Sequence, residues 1–346
     1  MPLSVRPALG LLFWLATGVA SAGPVTVERV VYLMGTRATL VVEADDRARA
    51  AEHLETLLRS LERTEGELST WRDDSVLGRL NRQPVGRPFT PSPFVCRLWP
   101  ALVYWHRETG GAFDPSIGAW GDAWGLRDGG RQPSPRDRRA AAARTGLDLV
   151  RFDGDGCLLT RTATVTLDAG GFGKGAALGR LPRPEAGDAW MVDLGGQVAV
   201  ASAGAGRRWR VALAHPAARD VPVLEVVLTD GALATSGASE RTVEVGGRRL
   251  AHIIDPRSGE PLTRPESVTV WHADPLVADI LSTALYVMGP DAGLRYADAR
   301  RIAAVYLAPD AGAPGVRVQP SRAFRHRFGV RERLPTPADP LAPAHR

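Results

Sequence analysis

The chain has 346 residues, 44% hydrophobic and 23% charged, and its 43 lysines plus arginines against 38 aspartates plus glutamates leave a formal net charge of +5. That composition excludes a disordered or fibrous chain and supplies apolar material for one large core or two lobes. The positive balance is spread along the chain without basic blocks interleaved with aromatics, which argues against a nucleic-acid partner.

The first residues, MPLSVRPALGLLFWLATGVASAGP, combine Arg6, an apolar run over 8–20 and small residues at Ala20 and Ala22. The pattern is that of a secretory signal cut after Ala22, and the run is shorter than the roughly 20 residues that cross a bilayer. No cysteine stands beside the cut, so a lipid anchor is not expected. The remainder is expected to be periplasmic: one domain over 23–330, then a Pro- and Ala-rich disordered tail over 331–346. Cys96 and Cys157 are the pair available to an oxidising compartment, and the sequence leaves their pairing open.

VTVERVVYLMGTRATLVVEA alternates β-branched and polar residues around Met34, Gly35 and Thr36, as two strands about a bend do. Residues 45–67 have helical spacing. A second helix is expected after Thr90 and Ser92, closing at Gly110 and Gly111 and kinked at Pro100. GAFDPSIGAWGDAWGLRDGG has no periodicity and reads as loop, where functional sites tend to lie. The second half reads as short strands: TVTLDAG, AWMVDLGGQVAVAS, RWRVALAHP, VLEVVLTDGALATSG, RTVEVGGRRLAHIIDP and SVTVWHA. A helix at Pro275 capped by Asp274, a short helix over 291–300, and the strands RIAAVYLAP and GVRVQP follow. The order implies an α+β fold, mostly antiparallel sheet with flanking helices, rather than a doubly wound one.

LDAGGFGKGAALGR holds the only lysine of the chain, Lys174, among Gly170, Gly171, Gly173 and Gly175. It is not a Walker loop, because Gly175 follows Gly173 and Lys174 where Ser or Thr is required and Asp168 stands five before Gly173; GxGxxG fails too. Two readings remain. One is a turn that brings backbone amides and a helix N-terminus at Lys174 to an anion; the other is a glycine-rich left-handed turn with a solvated lysine. Asp168, at the end of a strand and the mouth of this turn, suits a ribose hydroxyl, a ring N–H or a metal.

In ADILSTALYVMG, Asp279 and Thr283 are four apart, one helical turn on one face. The pair suits a hard cation such as Mg²⁺, or else an arginine partner for Asp279 and a back-bonded Thr283. His252 and Asp255 flank an apolar pair at a strand end, where the histidine serves as general base or as a structural turn residue.

In order along the chain, Met34-Gly35-Thr36, LSTWRDDSVLGRLNR (68–82), GAFDPSIG, LDAGGFGKG, VDLGGQ, ATSG, HIIDPRSGEP and ADILSTALYVMG resemble the ApbE family of FAD:protein FMN transferases, over roughly residues 30–310. The resemblance implies a two-lobed, T-fold-like architecture. It also implies export, FAD as substrate, Mg²⁺ as cofactor, and transfer of FMN to a Thr or Ser of an acceptor flavoprotein, expected to be membrane-associated, with release of AMP. Met34, Trp71, Ala112, Phe113, Asp114, Asp168, Lys174 and Ile254 then fall at flavin or nucleotide positions. Asp279, Thr283 and the Gly171 carbonyl fall at Mg²⁺ positions, with Asp279 and His252 catalytic and His252 the base. Ala169, Phe172 and Gly173 depart from the usual DLGGIAKG, Ala238 and Ser239 from the Asp and aromatic that often follow ATSG, and Leu68 from a frequent methionine. Two other functions remain: an FAD pyrophosphatase giving FMN and AMP, and a non-catalytic flavin-binding protein, which would need neither metal nor base.

Overall fold

A computed structural model describes residues 23–204, 206–238, 242–310 and 315–330; the expected signal, the tail and Ser239 lie outside the described residues. Eight strands form one sheet: Val25–Leu33, Thr36–Ala44, Ala189–Leu194, Gln197–Ser202, Gly231–Gly237, Ser267–His272, Ala303–Pro309 and Val316–Pro320. They lie side by side in chain order, every neighbouring pair antiparallel. The fold is α+β.

Long excursions leave the sheet. Between the second and third strands come α1 (Arg47–Leu68), α2 (Val76–Arg82), α3 (Pro93–Glu108), α4 (Gly118–Ala123), α5 (Pro135–Ala142) and α6 (Gly173–Gly179). Between the sixth and seventh come α7 (Pro275–Met288) and α8 (Pro290–Arg300), and α9 (Arg322–Phe328) follows the last strand.

The period-two pattern sends Leu40, Val42, Val192, Leu194, Ala199 and Ala234 to one face, against the buried Leu54, Leu57 and Leu61 of α1 and Ala177 and Leu178 of α6. Val41, Met191, Val198, Val200 and Leu233 turn to the other face. There they meet a hairpin of Trp209–His215 and Ala218–Leu228 and Phe324 of α9. Burying each of the α1 leucines contributes about 1.5–3 kcal/mol, so the helix is fixed on the sheet by its 3-4 spacing. Asp46 starts it, its Oδ1 accepting the Arg49 amide at 2.9 Å.

A second lobe is built from α2, α3 and a hairpin of Val150–Asp153 with Leu158–Arg161, around Trp99, Phe113 and Leu159. Its core reaches Ile280, Ala284 and Val287 of α7, while Leu281 and Leu285 of the same helix pack on the sheet. α7 therefore carries apolar contacts on opposite sides, and a carboxylate on it, Asp279, is buried at 1% exposure. Cys96 and Cys157 are joined as a disulfide with Cα atoms 5.9 Å apart, tying α3 to the turn of the Val150–Arg161 hairpin.

Three expectations are corrected. TVTLDAG forms no ladder beyond an isolated bridge from Thr166 to Ile117, so Asp168 does not end a strand. The polar groups of Leu167 pair with a side chain instead: Asn81 Nδ2 donates to its carbonyl at 2.9 Å and Asn81 Oδ1 accepts its amide at 2.8 Å. The supposed loop GAFDPSIGAWGDAWGLRDGG contains α4, six residues and too short for a period to register. α6 begins at Gly173 rather than Lys174. The helix α3 is capped by Ser92 as expected and runs through Pro100.

Candidate active site

One cavity of about 780 Å³ opens between the two lobes. All twelve residues singled out above, from Met34 to Thr283, line it. They arrive from six separate stretches of chain, each held by identifiable contacts.

Met34 sits at the bend of the first two strands with φ of 51°, followed by Gly35 at 70°. Its amide donates to Glu65 Oε1 at 2.7 Å, which ties the bend to the end of α1. Trp71 follows α1 and is 65% exposed at the cavity wall. Ala112, Phe113 and Asp114 hang from the C-terminal end of α3. There Thr109 Oγ1 accepts the Phe113 amide at 3.2 Å, and His106 Nδ1 lies 3.0 Å from the Phe113 carbonyl. Asp114 Oδ1 caps the turn beneath it, accepting the Ser116 amide at 2.8 Å and the Ser116 hydroxyl at 2.6 Å.

The glycines at 170, 171, 173 and 175 are not in the left-handed region, so the left-handed-turn reading of this loop is wrong. They give space. A Cβ on Gly175 would lie 2.4 Å from the Pro275 carbonyl and 2.5 Å from Asp279 Cβ, and one on Gly171 would lie 3.2 Å from Thr283 Cγ2 and 3.4 Å from its Oγ1. The loop and α6 thus press backbone-first against α7. The close approach lets the Gly175 amide donate to Asp279 Oδ2 at 2.7 Å, so this first-turn amide faces a carboxylate rather than an incoming anion. Gln197 Nε2 donates to Asp279 Oδ1 at 2.6 Å.

Asp168 stands at the opposite rim. Its Oδ1 accepts the Gly170 amide at 2.7 Å and its Oδ2 accepts Arg127 Nη2 at 2.8 Å. His252 and Ile254 come from the segment that ends in the DPRSG turn. That turn is pinned to α4 by the Trp124 Nε1 donation to the Gly259 carbonyl at 2.7 Å, and a Cβ on Gly259 would collide with the Trp120 ring. Asp255 braces the turn. It receives Arg257 Nε at 2.9 Å and Nη2 at 2.8 Å. Burial pushes its pKa up, but the Arg257 fork and amide outweigh that and hold the carboxyl below its ordinary range.

Lys174 lies on the cavity wall, electrostatically coupled to Asp193 of VDLGGQ. Burial pushes the Asp193 carboxyl above its ordinary value, against the pull of the Gly196 amide and of Arg219, Lys174 and Arg37. Motif reading assigned no part to Gln197 or Arg127. Gln197 was within reach, being a buried amide directly after the paired glycines of VDLGGQ, whereas Arg127 belongs to no motif.

For a cation, Asp279, Thr283 and the Gly171 carbonyl offer hard oxygen donors of the kind Mg²⁺ takes together with waters and phosphate oxygens. The side chain missing at Gly171 leaves its backbone against Thr283, so the set fits. Among the described residues no group of three or more His, Cys, Asp and Glu side chains is placed to hold a metal. Nor is any helix among them long and apolar enough to cross a membrane.

The ApbE family profile matches residues 34–306. A Klebsiella pneumoniae protein named FAD:protein FMN transferase is 32% identical over 270 residues, covering 75% of this chain and 77% of its own length. A Salmonella typhimurium protein of the same name is 31% identical over 268 residues, 74% and 77% of the two chains. Among solved structures, the apo form of the Pseudomonas stutzeri flavinyl transferase ApbE superposes with a TM-score of 0.75 at 28% identity, covering 89% of this chain and 98% of that one. The ApbE protein of Thermotoga maritima gives 0.77 at 27%, covering 89% and 100%. The chain is an enzyme and belongs to the ApbE family.

Proposed function

We propose that this protein moves FMN from FAD to a threonine or serine hydroxyl of an acceptor flavoprotein and releases AMP, with Mg²⁺ as cofactor. The observation that carries the reading is the convergence on one cavity floor of Asp279, Thr283 and Gly171, with His252 and Lys174 lining the same space. A carrier would require neither the base nor the buried carboxylate.

In the transfer, the acceptor hydroxyl attacks the phosphorus on the riboflavin side of the pyrophosphate. The bond from that phosphorus to the bridging oxygen breaks, and AMP leaves with the oxygen. The hydroxyl proton passes to a ring nitrogen of His252, a role worth about 10²–10⁴-fold in rate. Asp279, Thr283 and the Gly171 carbonyl would hold a Mg²⁺ ion, which would supply charge neutralisation at the pyrophosphate. Gln197 and the Gly175 amide fix the Asp279 carboxylate from both oxygens, so it is oriented before any ligand arrives. Lys174 adds a compact positive charge beside the phosphates, and Met34, Trp71, Ala112, Phe113, Asp114, Asp168 and Ile254 form the flavin and nucleotide walls.

Cleavage after Ala22 would deliver the domain over 23–330 to the periplasm, where its acceptor is expected to be membrane-associated; the Cys96–Cys157 disulfide suits an oxidising compartment. The test incubates the mature protein with FAD and Mg²⁺, with and without an acceptor domain carrying a threonine, and follows AMP release and acceptor mass. Acceptor-dependent AMP together with an FMN adduct on the acceptor is expected. AMP with no adduct identifies a pyrophosphatase, and FAD binding with no AMP identifies a carrier; either result overturns the transferase reading.

A further inference from the structure

Arg127 belongs to a turn after α4 in which Gly125, Gly129 and Gly130 all have positive φ. The turn is seated on the hairpin that leads to His252, since a Cβ on Gly130 would lie 2.7 Å from Val245 Cγ2 and 3.1 Å from Val243 Cγ2. From there the guanidinium reaches the other wall of the cavity. Its Nη2 donates to Asp168 Oδ2 at 2.8 Å and to Thr70 Oγ1 at 3.0 Å, and its Nη1 donates to the Thr70 carbonyl at 3.2 Å. Its Cζ lies 4.5 Å from the centroid of the Trp71 ring. One side chain thus joins three wall segments.

We infer that Arg127 is a positioning and specificity-determining residue, fixing the Asp168 carboxylate and the Trp71 indole as one recognition unit for a flat heteroaromatic ring of the dinucleotide. The inference rests on the reading of FAD as substrate given above. Trp71 is 65% exposed and stands on the cavity wall, an arrangement in which an unheld indole samples several rotamers. A planar cation against the ring limits that freedom and leaves a flat guanidinium–indole pair on which a ring can stack. The same cation compensates Asp168, so the rim accepts a pyrophosphate dianion without an uncompensated carboxylate beside it. A lysine keeps the charge but gives up the fork and the stacking plane.

The test titrates wild type, Arg127→Ala and Arg127→Lys with FAD, and separately with FMN and with ADP, by flavin fluorescence and calorimetry, and then measures turnover at saturating FAD. Loss of a charge-assisted contact and a stack predicts a Kd for FAD about tenfold higher in Arg127→Ala and only partly restored in Arg127→Lys, with kcat within about threefold of wild type. Weakened binding of FMN but not ADP, or of ADP but not FMN, identifies the ring that stacks. Unchanged Kd for FAD, or a fall in kcat with KM unaltered, overturns the inference. Should Arg127→Ala fail to fold, Arg127→Gln, which keeps a planar uncharged end, carries the same comparison. Wild type that binds no FAD defeats the proposed function itself, a result distinct from wild type binding tightly and the variant binding equally well.

Discussion

The floor and the rim of the cavity are built by different physics. At the floor, α6 meets α7 backbone against backbone, Asp279 is 1% exposed, and both its oxygens are claimed. At the rim, Trp71 is 65% exposed, and the Arg127–Asp168 pair keeps about a third of each side chain in solvent. Interiors are close-packed and cannot yield by fractions of an ångström without cost, whereas exposed pairs rearrange at little expense. Under the proposed function, the floor is therefore suited to fixing charge at the reacting phosphate and the rim to admitting and selecting the ligand.

The sharpest break of that contrast lies in turnover. His252→Gln is expected to lower FMN transfer by about 10²–10⁴-fold, and Asp279→Asn by about 10²–10³-fold, with FAD binding largely retained in both. Asparagine still accepts the Gly175 amide but turns a donor toward Gln197. Single-turnover assays of AMP release check this, and a variant at either position with unchanged kcat removes it from the machinery. Chelation of divalent ions should imitate Asp279→Asn, with activity restored by added Mg²⁺.

Stability gives the next contrast. Gly175→Ala places a methyl group on backbone atoms of α7 and should cost at least about 1–3 kcal/mol. Gly170→Ala meets Asp168 Oδ1 at 2.8 Å, an atom at the end of a side chain that can move aside, and should cost less than about 1 kcal/mol. Chemical denaturation of the two variants ranks them; equal losses would mean that floor and rim are equally rigid. Lys174→Arg lies between. Its wider fork against the glycine loop should raise the KM for FAD by about three- to tenfold while the charge is kept.

Legibility followed periodicity. The strands flanking Met34, the α1 stripe, and the α7 helix with Asp279 and Thr283 on one face could be read because their patterns run over many residues. The segment leading to Asp168 could not, since what holds it is the Asn81 side chain, 86 positions away in sequence, in place of a neighbouring strand. Both readings of the glycine loop assumed special backbone angles or free amides, and the structure shows instead a demand for space created by α7, which sequence spacing does not reveal. The Asp255 carboxylate is taken by Arg257 two residues on, a pairing that no periodicity announces. Arg127 was invisible because one arginine among 42 carries no local signal.

The smallest effect is read by titration of two carboxylates outside the cavity lining, Asp193, which Lys174 attracts, and Asp255 of the DPRSG turn. Asp193 is held above its ordinary value of 3.8 by burial, so between that value and its folded one the native state binds more protons than the unfolded chain. Its contribution to stability therefore falls as pH rises through that window and remains a constant cost above it. Asp255 is shifted the other way, because the Arg257 fork prevails over burial. Its contribution is present above the unfolded value and is lost as pH falls toward the folded one. Urea midpoints measured from pH 3 to 7 should rise toward acid in the Asp193 window and fall toward acid in the Asp255 window. Asp193→Asn should abolish the first slope and raise neutral-pH stability, and Asp255→Asn should abolish the second and lower stability by less than about 1 kcal/mol, as for a partly solvated ion pair. Slopes of the same sign in both windows would show that Asp193 is compensated as fully as Asp255, and the contrast between a carboxyl raised by burial and one lowered by its arginine fork would then not hold.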